Sequence, residues 1–196
     1  MRPFLLLSPS AKEEFAHITV TEDEYDSVIL GLDPPSLSYE RLNIAFRILK
    51  NEPISKTARR PAKAVSLIAP HASMYQQTAE DDLPAGLSLG IGPFVKALEF
   101  ASSVEAELVG KPTRRFFELA IQCLRENTKW EGAVEEVAIV GDDVENDLGG
   151  GARELGLQTV LVKTGKYRSG AEVGQEVDGS HETFADFVDA LVGKHS

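Results

Sequence analysis

Residues 137–147, Val-Ala-Ile-Val-Gly-Asp-Asp-Val-Glu-Asn-Asp, constrain the fold of this chain more than any other stretch. Four apolar residues closed by a glycine read as a strand buried in a sheet, with acids directly at its exit. The segments around it keep a regular alternation. A strand at Val137–Val140 meets a helix from about Asn146 to Leu155, then a strand at Thr159–Val162 and a closing helix near Glu182–Val192. Upstream, a short strand at Ala106–Val109 leads into a long helix from Pro112 to about Glu126. Strands alternating with helices predict an α/β fold with a parallel sheet covered on both faces.

In parallel sheets, ligands bind at the carboxyl ends of the strands. Asp142 and Asp143 stand at such an end, with Asp147 four residues beyond Asp143. Hard cations such as Mg2+ take oxygen ligands, often from one or two carboxylates completed by phosphate and water. The same acids also suit the start of the next helix, where Asp caps free amides and faces the positive end of the dipole. Spacing alone leaves both readings open. A second strand end carries Val109-Gly110-Lys111-Pro112, and a lysine there is a point cation suited to a phosphate. By itself that tetrapeptide is a weak signal, since lysines before helices are common.

The front half is less regular. Apolar runs at Phe4–Leu7, at Ser27–Leu32 before Asp33-Pro34-Pro35, and at Ala64–Ala69 before Pro70-His71 read as strands. Leu42, Ile44, Ala45, Ile48 and Leu49 recur at helical spacing within Ser38–Leu49. The basic stretch Lys56–Lys63 and the acidic stretch Gln76–Pro84 read as loops, and Gly90-Ile91-Gly92-Pro93 opens a helix to about Ser102.

A net charge of −11 disfavours a nucleic-acid backbone or an anionic membrane as partner, because both would be repelled. Cys123 is the only cysteine, so no internal disulfide forms, and its apolar neighbours suggest a buried structural thiol. The apolar run Phe4–Leu7 is shorter than a secretory signal requires, and nothing approaches a membrane span. A cytoplasmic location is expected.

Gly110-Lys111-Pro112 at one strand end, a helix, the strand with Gly141-Asp142-Asp143 and Asp147, and then Val160-Leu161-Val162-Lys163-Thr164-Gly165 together resemble the haloacid dehalogenase-like (HAD) superfamily of phosphatases. Lys111 matches its third motif, and Gly141, Asp142, Asp143 and Asp147 its fourth. Leu67–Tyr75 and Leu87–Glu99 look like the branch with a large cap inserted between the second and third motifs. The resemblance implies an incomplete HAD-like Rossmannoid parallel sheet plus part of an α/β cap domain. Residues 1–86 would be the remaining part of the cap, and residues 87–196 the C-terminal part of the core.

It also implies Mg2+-dependent hydrolysis of small phosphate esters or phosphoamides. In the family an aspartate of an Asp-x-Asp motif attacks, the second aspartate is acid and base, and Mg2+ bridges carboxylates and phosphate. Lys111 would then stabilise the phosphoaspartate and Asp142 would ligate the metal, with Asp143 and Asp147 supporting the metal or orienting Lys111. His71 and Tyr75 fall where the cap faces substrate, although an ordinary structural role suits both equally. An exposed cap strand at Val28–Leu32 would offer a pairing edge for a homodimer.

One element of the pattern is missing. No Asp-x-Asp occurs in a suitable setting; Asp33 is nearest, but Pro35 occupies the place of the second acid, so Asp33 is expected to be a turn residue. Met1 aligns inside the cap, which implies an N-terminally truncated form without the nucleophile strand, an open edge on the Val137–Val140 strand, and no phosphatase turnover. The alternative is a non-catalytic metal- or phosphate-binding or protein-interaction module.

Overall fold

The apolar runs of the first 110 residues assemble into one four-stranded parallel sheet. In the computed structural model, residues 2–18, 25–55, 64–80, 83–171, 174 and 176–193 are described. The strands are β1 (Pro3–Leu6), β2 (Ser27–Leu30), β3 (Ser66–Ala69) and β6 (Ala106–Leu108), in the order β1-β2-β3-β6. Their registers pair Phe4 with Val28, Val28 with Leu67, and Leu67 with Ala106, so these side chains share one face. That face carries the core: Leu6, Val28, Leu30, Leu67 and Ala69 are all but inaccessible to solvent.

Two helices cover it. α2 (Tyr39–Leu49) starts where the Ser38 hydroxyl accepts the Arg41 amide at 3.4 Å, and it buries Ala45, Ile48 and Leu49. α3 (Gly92–Ser102) buries Val95 and Leu98 and stops at Ser103, whose left-handed backbone donates its amide to the Glu99 carbonyl. Each fully buried aliphatic side chain here stabilises the unit by about 1.5–3 kcal/mol. A short helix, α1 (Pro9–Glu13), follows β1.

The second sheet is also parallel, in the order β7 (Ala138–Gly141), β8 (Gln158–Val162), β9 (Gly179–His181). α4 (Arg114–Thr128) packs Phe117 and Ile121 against Ala152 and Leu157, and α6 (Phe184–Gly193) follows β9. β8 is central, with residues 159–162 buried. β7 is an edge: Ala138 is exposed and the rest of the strand only half-buried. The α/β class and the parallel sheets are as expected.

Several expectations are corrected. The described residues of Gln76–Pro84 are not a loop, because β4 (Tyr75–Glu80) and β5 (Leu83–Leu89) pair with each other. Backbone pairing between neighbouring strands tolerates the polar composition that suggested a loop. The strand at Val28–Leu32 is not exposed: β2 lies between β1 and β3, with Val28 and Leu30 fully buried. Cys123 is exposed, because α4 turns Phe117 and Ile121 inward and Cys123 falls off that stripe. The helix expected from Asn146 to Leu155 shrinks to α5 (Gly151–Glu154), since Gly150 has a φ of +47° that no helix continues through. The basic stretch Lys56–Lys63 lies outside the described residues.

The chain divides into two compact units, Met1–Gln76 with Leu87–Val109, and Gln77–Gly86 with Gly110–Ser196. This differs from a break at residue 86, because α3 and β6 build on the first sheet. No helix among the described residues is long and apolar enough to cross a membrane.

Candidate functional site

The site forms within the second unit, where backbone turns bring the exits of β7 and β8 to the segment that precedes α4. β7 and β8 run parallel with Gly141 beside Leu161, so Asp142 and Asp143 emerge next to the exit of β8. Lys111 comes from the segment preceding α4, whose N-cap Thr113 accepts the Phe116 amide and donates to the Gly110 carbonyl at 2.7 Å.

A glycine turn ties that segment to the β7 exit. The Gly151 amide donates to the Pro112 carbonyl at 2.8 Å. A Cβ at Gly151 would overlap the backbone of Thr113 and Arg114, so only glycine allows this approach. Lys111 reaches Asp147 as a result: Nζ donates to Oδ1 at 2.6 Å, across 36 residues of sequence. The Lys111-Pro112 peptide is cis.

The three acids behave differently. Asp143 closes a turn: its carboxylate accepts the Asn146 amide at 3.0 Å and the Asn146 side chain at 2.8 Å. Asp147 holds Lys111. Asp142 accepts the Lys166 amide on Oδ2 at 3.0 Å, while its other oxygen takes no hydrogen bond from any described residue. The helix-capping reading is not met by any of them, since α5 begins at Gly151 without a side-chain cap and Asp143 closes a turn onto Asn146 instead. Among the described residues no group of three or more His, Cys, Asp or Glu is placed to hold a metal ion. The acids therefore do not converge as one three-carboxylate set.

Lys166 is the group that sequence reasoning missed. Its ammonium lies 3.8 Å from Asp143 Oδ2, giving a second lysine–aspartate pair beside Lys111–Asp147. The available signal was a Gly-Lys step after the strand next to β7, the same logic that marks Gly110-Lys111.

His71 and Tyr75 belong to the first unit. The His71 Nδ1 accepts the Ser73 amide at 3.3 Å, and Tyr75 opens β4, half-buried. Asp33 is a turn residue there, as expected: it precedes the Pro34–Ser36 turn and its carboxylate accepts the Ser36 hydroxyl.

Residues 108–190 match the family model described as HAD-hydrolase-like. The chain is 38% identical over 172 residues to human haloacid dehalogenase-like hydrolase domain-containing protein 2, covering 88% of this chain and 56% of that protein. It is 31% identical over 194 residues to human phospholysine phosphohistidine inorganic pyrophosphate phosphatase, covering 98% of this chain and 63% of that one. The chain thus spans somewhat more than half the length of these relatives. Its fold superimposes on 4-nitrophenylphosphatase from Thermotoga maritima with a TM-score of 0.73, at 24% identity, over 97% of this chain and 65% of that one. Family model, relatives and fold agree with the lysine and aspartates at the strand exits, and the chain belongs to the HAD-like hydrolases.

Proposed function

We propose that this chain is the phosphate- and cation-holding part of a Mg2+-dependent phosphatase acting on phosphate esters or phosphoamides. The observation that carries this reading is the Lys111–Asp147 pair at 2.6 Å, which fixes an ammonium at the carboxyl end of a parallel sheet. Lys111 is 45% exposed and so remains open to a small ligand, while Asp147, 15% exposed, anchors it. Its role is to neutralise phosphoryl oxygens as a point charge.

The donor set at Asp142 fits Mg2+. One oxygen is committed to the Lys166 amide and the other takes no hydrogen bond from a described residue, which suits a hard cation held by one or two carboxylates plus phosphate and water. A bound Mg2+ would supply positive charge to the phosphoryl group. Asp142 is its ligand in this reading, with Asp143 and Asp147 in support.

The attacking carboxylate is the unfilled role. The sequence holds no Asp-x-Asp, so the chain by itself turns over no phosphate ester. Residues of the first unit, His71 and Tyr75 among them, would form part of the cap that selects a small phosphorylated substrate. A cytosolic setting suited to the exposed Cys123 completes the proposal.

The test is hydrolysis of 4-nitrophenyl phosphate by the 196-residue chain with Mg2+ and with EDTA, beside Lys111→Ala, with Mg2+ and orthophosphate binding measured in parallel. Binding without turnover is the expected result. Mg2+-dependent turnover that disappears in Lys111→Ala would overturn the inactivity. A folded chain that binds neither Mg2+ nor orthophosphate would overturn the whole reading.

A further inference from the structure

The turn after β8 is built around Asp142. The Tyr167 amide donates to the Thr164 carbonyl at 2.9 Å, closing a turn over Thr164–Tyr167. Within it the Lys166 amide donates to Asp142 Oδ2 at 3.0 Å. Gly165 adopts a φ of +45° and lies so near Asp142 that a Cβ would overlap Oδ2. A side chain at 165 is thus excluded twice, by backbone conformation and by the carboxylate it would strike. The Lys166 ammonium faces Asp143 Oδ2 at 3.8 Å, and Asn146 occupies both Asp143 oxygens. Neighbouring acids therefore meet different fates. Asp143 is engaged on both oxygens, and Asp142 on one.

We propose that the Gly165–Lys166 turn is a positioning device for the divalent-cation site, its amide pinning Asp142 Oδ2 so that the other oxygen alone is presented to the cation. This rests on the cation reading given above. An unpinned carboxylate would have to surrender its rotational freedom when a cation binds. A backbone amide does this work more rigidly than a side chain, because the closed turn leaves it no rotamer to change. Groups that orient a metal ligand through its second oxygen typically govern affinity by about 10–100-fold.

The experiment is a Mg2+ titration of the 15N-labelled full chain, read by amide chemical shifts, with Gly165→Ala, Lys166→Met and Asp142→Asn in parallel. In the native protein the Lys166 amide should move with the same midpoint as the Asp142 and Asp143 amides. Gly165→Ala should raise that midpoint by about 10–100-fold. Lys166→Met keeps the amide, so its midpoint should shift less than that of Gly165→Ala. Asp142→Asn should abolish the saturable response.

A Lys166 amide that stays silent while Asp142 and Asp143 respond overturns the proposal, and so does an unchanged midpoint in a folded Gly165→Ala. Should Gly165→Ala fail to fold, the native titration decides alone. Absence of any Mg2+ response in the native chain would overturn the cation reading itself, and this proposal with it.

Discussion

Replacing Gly151 by alanine isolates the contact that brings Lys111 to the acids. A Cβ at 151 would sit 2.7 Å from the Thr113 carbonyl carbon and closer still to Arg114 backbone atoms. Carbon atoms in favourable contact lie about 3.5–4.0 Å apart, so the α4 and α5 segments must separate by about 0.8 Å to relieve the Thr113 contact and by more to relieve those with Arg114. Neither neighbour is a flexible side chain, and the strain falls on the backbone, including the 2.8 Å bond from the Gly151 amide to the Pro112 carbonyl. Overpacking of this kind costs about 1–3 kcal/mol. For a chain of this length each kcal/mol lowers Tm by about 2–4 °C, so scanning calorimetry should show a fall of about 2–12 °C. The same displacement pulls Lys111 from Asp147. That part-exposed pair is worth about 0.2–1 kcal/mol, and a double-mutant cycle with Lys111→Met measures it. Lys111→Met should cost stability in the native background and nothing in the Gly151→Ala background. A Tm within about 1 °C of the native value, or an equal cost of Lys111→Met in both backgrounds, would refute the reasoning.

Other consequences follow from the same structure. Asp178 accepts the Thr159 amide at 2.7 Å and the Thr159 hydroxyl at 2.9 Å, and these bonds hold its carboxyl below the ordinary carboxylate range. Because the folded value is depressed, this stabilisation is present above the unfolded pKa near 3.9 and is lost as pH falls through the folded value. Chemical denaturation should therefore show Asp178→Asn weaker than the native protein at neutral pH by at most about 1 kcal/mol, since the group is solvent-screened, with the difference shrinking as pH falls through the folded value. An undiminished gap in acid would contradict this. Leu67→Ala, at a fully buried position of β3, should cost about 2–5 kcal/mol, seen as an earlier urea transition. Exposed Cys123 should react fully with a thiol reagent in the folded protein, and protection until unfolding would contradict its placement on α4.

Much of the fold was legible in the sequence because apolar runs and their period report which residues face a core. Val137–Val140, Thr159–Val162 and the Leu42–Leu49 stripe each became the expected element. The failures came where partners far along the chain decide. β2 looked like an exposed strand, but neighbours on both sides bury it. β4 is too polar, and β5 too interrupted by Pro84 and Gly86, to announce themselves, and their pairing supplies what composition does not. Cys123 sits among apolar residues in sequence yet off the buried stripe in space, because rotation along a helix separates positions that adjacency does not.

The candidate site divides the same way. The sequence alone determined which residue types stand at the strand exits, Lys111, Asp142, Asp143 and Asp147, since a strand followed by glycine and charge is a local pattern. It did not determine their roles. Only the tertiary structure set Asp143 to the turn with Asn146, Asp147 to Lys111, and Asp142 to the Lys166 amide. Those assignments depend on which backbones approach closely enough to share hydrogen bonds, and that is fixed by glycine turns and parallel register across segments far apart in the chain.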